Sequence, residues 1–220
     1  MNGTDPIHLK PTSILNSDHP SVAEHTQRVS GDADDPVSTA VLLYNSVRDG
    51  IRYDPYGPFS TEDDYRASAV LARKSGFCIP KAALLCTLGR AAGIPSRLGF
   101  AHLRNFQAPV KLIEWMGTDI FAFHGFVEFF LDGKWVRATP AFNREIYLKL
   151  GMEPLEFNGR EDSMFPENTP NGKRFIQYTE YLGVRNDVPL DEILSAWRRI
   201  YGRERIEIWM ERIEARQRTK

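Results

Sequence analysis

The chain has 220 residues, 42% hydrophobic and 26% charged, enough to bury a sizeable core without disulfides or a structural metal. Its 28 basic and 29 acidic residues leave a formal net charge of -1, too little to steer nucleic acid or an anionic membrane. No stretch approaches the roughly 18 apolar residues of a membrane span, and Met1–Lys10 lacks the charged-then-apolar pattern of a secretory signal.

Residues 1–36 are rich in Asp, Ser, Thr and Pro with little periodicity, and read as an extended leader. His8, His19 and His25 lie there without ligand-like spacing, so surface or hydrogen-bonding roles are expected for them. A first helix should begin after Asp35-Pro36, with Val37, Ala40, Val41, Tyr44 and Val47 at helical spacing and Gly50 at its end. Thr61 to Asp64 supplies a second polar helix start, followed by Ala67, Val70 and Leu71.

Ser75-Gly76-Phe77 breaks the chain, and Cys78 opens a helix-favouring apolar run that Gly93-Ile94-Pro95 closes. Ser96 to His102 alternates as a strand, and Phe121 to Leu131 is another. In the latter, Gly125, Val127 and Phe129 share one face, with His124, Phe126, Glu128 and Phe130 on the other. Asp132-Gly133 is a hairpin turn, and Lys134 to Thr139 is the return strand before Pro140. Residues 151–173, rich in Gly, Pro and Asn, form a long connection and a candidate active-site loop. Arg174 to Tyr181 reads as a further strand. From Pro189 the pattern is helical through Trp197 and Ile213, ending in a basic tail, Arg216 to Lys220, read as a solvated helix end.

A cysteine at the first position of a helix is chemically distinctive, because unpaired backbone N–H groups and the positive helix end favour thiolate. A depressed thiol pKa at Cys78 is therefore expected, with Gly76 leaving room for a tight turn and a substrate carbonyl. His124, in an otherwise apolar strand and beside the space at Gly125, is the best candidate for its base. Spacing does not show that the two meet, and a buried apolar thiol and a core histidine are the structural alternatives. Cys86, eight residues on, would sit about 12 Å away along a helix, beyond the roughly 7 Å reach of a disulfide. Reduced thiols and a cytoplasmic location follow as the expectation.

The run Ser75-Gly76-Phe77-Cys78 through Gly93-Ile94-Pro95-Ser96-Arg97 resembles the cysteine segment of the transglutaminase-like superfamily. His124-Gly125-Phe126-Val127-Glu128 followed by Lys134-Trp135-Val136 resembles its histidine hairpin, and Val47 to Tyr53 its upstream approach. The resemblance, of a bacterial single-domain type, spans about 100 residues, Val37 to Asn143. It implies an α+β, papain-like core: a cysteine-bearing helix on an antiparallel sheet, here with an extra C-terminal helix. It also implies amide acyl transfer or hydrolysis through a thioester, with no cofactor. Where the family carries a histidine-orienting Asp, this chain has Thr139, and Asn143 is the substitute to consider. Tyr65, Trp115 and Phe123 are candidates to line an acyl-binding slot.

The expected organisation is a leader over 1–36, a core over 37–188 and a helical segment over 189–220. The expected partner is a protein, peptide or small amide substrate, with neither nucleic acid nor membrane. The competing expectation is a scaffold that keeps this fold without turnover, favoured by Thr139. A metal-dependent hydrolase finds little support in five scattered histidines.

Overall fold

The first two α-helices carry their own side-chain caps. In a computed structural model of the chain, which describes residues 5–31 and 33–218, His19 Nδ1 accepts from the Ser21 amide at 3.3 Å. Helix α1 (Pro20–Ser30) follows, inside the stretch expected to be extended. Its buried stripe is only Val22 and Thr26, too brief to register as periodicity. Asp35 caps α2 (Pro36–Gly50), accepting from the amides of Val37 and Ser38 at 2.9 and 3.0 Å.

Strand β1 (Arg52–Tyr53) pairs in parallel with β2 (Ser75–Gly76). Between them the expected single helix is split into a 3-10 turn at Glu62–Asp64 and α3 (Ala67–Arg73). The Thr61–Asp64 capping box closes on the short turn, and Arg66 at ψ 124° cannot carry the helix through.

Helix α4 (Cys78–Ala91) is the axis of the fold: every residue from Ile79 to Arg90 is buried. A helix apolar on all sides is stable only where every face is covered. Its polar members are accordingly satisfied. Thr87 donates to the Ala83 carbonyl at 2.7 Å, and Arg90 donates to the carbonyls of Ser96, Lys10 and Asn186.

Strands β3 (Ser96–Asn105), β4 (Ile120–Leu131), β5 (Lys134–Ala138) and β6 (Ile176–Arg185) form an antiparallel sheet in the order β5-β4-β3-β6. The β4–β5 hairpin turns at Asp132 and Gly133, both at positive φ (47° and 81°), the geometry that Asp-Gly favours. Two short helices interrupt the strand series, α5 (Val110–Met116) and α6 (Arg144–Lys149). Residues 151–173 add no regular element, but Arg48 and Tyr44 of α2 hold this stretch at the Leu155 carbonyl, at 2.9 and 2.7 Å.

The C-terminal segment is two helices, α7 (Leu190–Tyr201) and α8 (Arg203–Arg218), not one continuous helix. Gly202, at φ 93° and ψ 136°, adopts a backbone conformation closed to most residues and breaks the run. One hydrophobic cluster runs from Ile14 and Leu15 through α4 and the sheet to Trp197 and Trp209. Ile14 and Trp209, toward either end of the described residues, therefore share one core. Residues 1–4, 32, 219 and 220 lie outside the described residues, as do the side chains of 214 and 216–218, so the expected basic tail falls there.

Gly89 shows how tightly α4 sits on the sheet: a Cβ there would lie 2.4 Å from Ser96 Oγ and 2.5 Å from the Phe129 ring. Gly89→Ala should gain about 1 kcal/mol of helix propensity but lose about 1–3 kcal/mol to overpacking. A lowered urea midpoint with an unchanged slope is the expected outcome, and a raised midpoint would contradict this packing.

Candidate active site

Cys78 is the first residue of α4, preceded by Phe77, whose side chain makes no capping bond. The amides of Gly125, Ile79 and Cys78 itself are directed at the sulfur and favour thiolate. Burial nevertheless dominates and pushes the thiol up to about 11, the reverse of the depressed value expected from the helix terminus. Cys86 is likewise raised to about 11, chiefly by burial, and is fully buried where Cys78 keeps partial exposure.

Neither expected glycine space is open to substrate. A Cβ at Gly76 would lie 2.9 Å from Pro80 Cβ, and one at Gly125 would lie 3.2 Å from Ile79 Cα. Gly125 instead lets the first turn of α4 press against β4.

His124 owes its position to an irregularity in β4. Register shifts between Ala101 and Leu103, which pair with His124 and Phe121, and Phe123 takes φ 57°. This bulge re-aims the strand directly before the histidine. The Phe123 amide donates to His102 Nδ1 at 3.1 Å. From the other side, Tyr201 Oη accepts from the Ala122 amide at 2.7 Å, and Trp197 Nε1 donates to its carbonyl at 3.0 Å. Sequence reasoning missed His102, Trp197 and Tyr201; a histidine in β3 opposite the bulge was the one available signal.

Burial alone pushes His124 down to about 3, since no charged group offsets it. Its Nε2 is buried without a hydrogen-bond partner, and its ring packs 5.2 Å from Phe165 and 6.2 Å from Tyr178. Phe165 comes from the 151–173 connection, so that stretch does reach the site.

The residues considered for orienting His124 are engaged elsewhere. Thr139 Oγ1 donates to Met164 Sδ at 3.3 Å and also hydrogen-bonds the hydroxyl of Tyr178, whose ring packs against His124. Asn143 ties α2 to β1: its Oδ1 accepts from the Tyr53 amide at 2.6 Å, and its Nδ2 donates to the carbonyls of Arg48 and Ile51. Those two carbonyls also accept from Lys81, a fully buried α4 lysine that burial pushes down to about 7.

Of the three slot candidates, only Trp115 faces the cavity. Tyr65 lies in the core with its hydroxyl on the Phe59 carbonyl at 2.8 Å. Phe123, turned by the bulge, packs against Phe100 and His102.

Cys78 and His124 line one cavity of about 80 Å³, walled by α5, α7 and α8 and by the loop after β1. Trp115 stacks on Trp209 at 5.4 Å, and Tyr56 meets Trp115 edge-on. A smaller cavity on the other side also contains Cys78 and His124, with Asn105, Phe142 and Phe165. Among the described residues no group of three or more His, Cys, Asp or Glu side chains could hold a metal ion, and no helix is long and apolar enough to cross a membrane.

A helix-borne thiol set against a histidine strand of an antiparallel sheet defines the papain- and transglutaminase-like class of α+β protein. Residues 23–140, more than half of the chain, match the transglutaminase-like superfamily, and the chain belongs to it. No curated protein matches the sequence. A solved structure described as a "putative cysteine protease" from Cytophaga hutchinsonii superposes with a TM-score of 0.55 at 16% identity. The match covers 88% of this chain and 50% of that one, so the chain spans half the length of that structure. The periplasmic domain of TgpA from Pseudomonas aeruginosa gives a TM-score of 0.43 at 19% identity, covering 60% of this chain and 45% of that domain.

Two measurements check the electrostatics. Iodoacetamide should label Cys78 before Cys86, slowly at pH 7, where a pKa of about 11 leaves about one thiolate in ten thousand. The rate should climb about tenfold per pH unit through pH 9; a plateau by pH 7 would refute the raised value. For His124, the unfolded chain takes up a proton below pH 6.5 that the folded chain refuses until about 3. Stability is therefore full above pH 6.5 and should fall by about 1.4 kcal/mol per pH unit below it. Urea titrations at pH 7, 6 and 5 should show that part of the slope vanish in His124→Gln.

Proposed function

We propose that the protein is a cysteine enzyme that attacks an amide carbonyl and passes the acyl group, through a thioester on Cys78, to water or an amine. The observation that carries this reading is the shared cavity: a helix-tip thiol and a buried imidazole with an unpartnered nitrogen line one partly open space. As the sulfur bonds to the acyl carbon, His124 takes the thiol proton, and the carbonyl oxygen acquires the charge. The Cys78 amide, directed at the sulfur in the resting site, is a suitable donor to that oxygen once the sulfur has bonded to carbon. Collapse breaks the C–N bond, with His124 returning the proton to the leaving amine. Water or a second amine then attacks the thioester, gives a proton to His124, and restores the thiol.

Burial shapes this cycle. A thiol raised to about 11 beside an imidazole lowered to about 3 rests as a neutral pair, so the proton moves together with attack. Protein, peptide and small-amide substrates all fit the chemistry. Two free thiols suit a reducing compartment, and the cytoplasm is the location proposed with it.

A second reading, a binding or scaffold protein without turnover, draws on one specific observation. Thr139 stands where the superfamily's orienting Asp is expected and spends its hydroxyl on Met164 and Tyr178, while His124 Nε2 has no partner. Acid-quenched mass spectrometry with p-nitrophenyl esters and anilides separates the two. The acyl-transfer reading expects an adduct mapped to Cys78, absent in Cys78→Ala and formed at least about a hundredfold more slowly in His124→Ala. No adduct at Cys78 with any substrate, in protein of unchanged fold, would leave the scaffold reading.

A further inference from the structure

Two cavities meet at Cys78 and His124, with Tyr53 and Phe121 shared between them, and they differ in size, about 80 against about 20 Å³. We infer that the larger is an acyl-side subsite for one large apolar side chain, so that amides of aromatic or branched aliphatic acyl residues, not of glutamine or acidic residues, are the favoured substrate class. This rests on the acyl-transfer reading.

Both cavities border the sulfur, so each can take one of the two groups on the acyl carbon; Asn105, the amide-bearing member of the smaller, suits the departing amine, which leaves the larger for the acyl residue's side chain. Among the described residues the wall contains no Asp, Glu, Lys or Arg side chain, and it carries Trp115, Trp197 and Trp209. Two of its polar tips are already spent, since Trp197 Nε1 and Tyr201 Oη are both bonded to the Ala122 backbone. A glutamine carboxamide placed there gives up full hydration for the few remaining phenol and indole tips, those of Tyr53, Tyr56, Trp115 and Trp209, which disfavours it by about tenfold against an apolar side chain. A carboxylate fares worse, because nothing in the wall is cationic.

The volume of about 80 Å³ is about half the roughly 150 Å³ of a cavity that encloses benzene, so a branched aliphatic side chain fits inside while an aromatic ring lies partly in the open mouth. One side chain entering from the open side, not a stretch of peptide, matches that space. The smaller cavity takes the leaving group and then the acceptor.

Three of the chain's four tryptophans line the larger cavity, so fluorescence reports its occupancy directly. Cys78→Ala, which removes turnover, is titrated with N-acetyl amides of phenylalanine, leucine, glutamine and aspartate. The phenylalanine and leucine ligands should bind at least about tenfold more tightly than the other two. Trp115→Ala in the same background, with its folding checked by circular dichroism, should cut that preference to less than about threefold. Equal affinities, or glutamine binding best, overturn the inference. Wild-type kcat/KM on the matching anilides keeps the two proposals apart. Apolar preference in binding without turnover of any anilide sustains the subsite and sinks the acyl-transfer reading. Turnover without apolar preference sinks the subsite and leaves that reading standing.

Discussion

The close seating of the first turn of α4 on β4 is the contact on which the rest of the structure turns. At Gly125 a single methyl group would meet Ile79 Cα at 3.2 Å, so the helix backbone and the strand all but touch. That approach brings a Gly125 amide to the Cys78 sulfur and sets the adjoining residue, His124, against the same cavity. Farther along the helix, Gly89 repeats the device against Phe129 and Ser96. Two glycines thus fix the height of α4 above the sheet at both ends, and the apolar residues between them fill the layer.

The consequence for the chemistry is dryness. Three backbone donors and a helix terminus act on the thiol, yet loss of water outweighs them and the proton stays on sulfur. The same desolvation keeps His124 neutral. An ion pair in this position would need a carboxylate or a strong acceptor behind the imidazole, and Thr139 supplies neither.

Much of the frame was legible in the residues. Asp35-Pro36 announces α2, Asp132-Gly133 announces the β4–β5 turn, and alternation from Gly125 to Phe130 places the correct faces of β4. Cys78 after a glycine break and His124 in an apolar strand stood out in the sequence as well, and the structure sets both on one cavity. What could not be read was tertiary. The bulge at Phe123 depends on His102 across the sheet and on Tyr201 some 80 positions later in the chain. Asn143 looks like a catalytic amide in sequence, and only its three backbone partners show it to be a clamp between α2 and β1. Tyr65 and Phe123 are aromatic residues near the right elements whose side chains point into the core.

Trp197, Tyr201 and Trp209, in the roof over Cys78, all lie beyond residue 140, where the superfamily match ends. Nucleophile and roof are thus encoded in separate stretches and can change at different rates over evolutionary time. Two descendants of one ancestor could keep the same reacting atoms while exchanging α7 and α8, and so diverge in diet without touching the machinery.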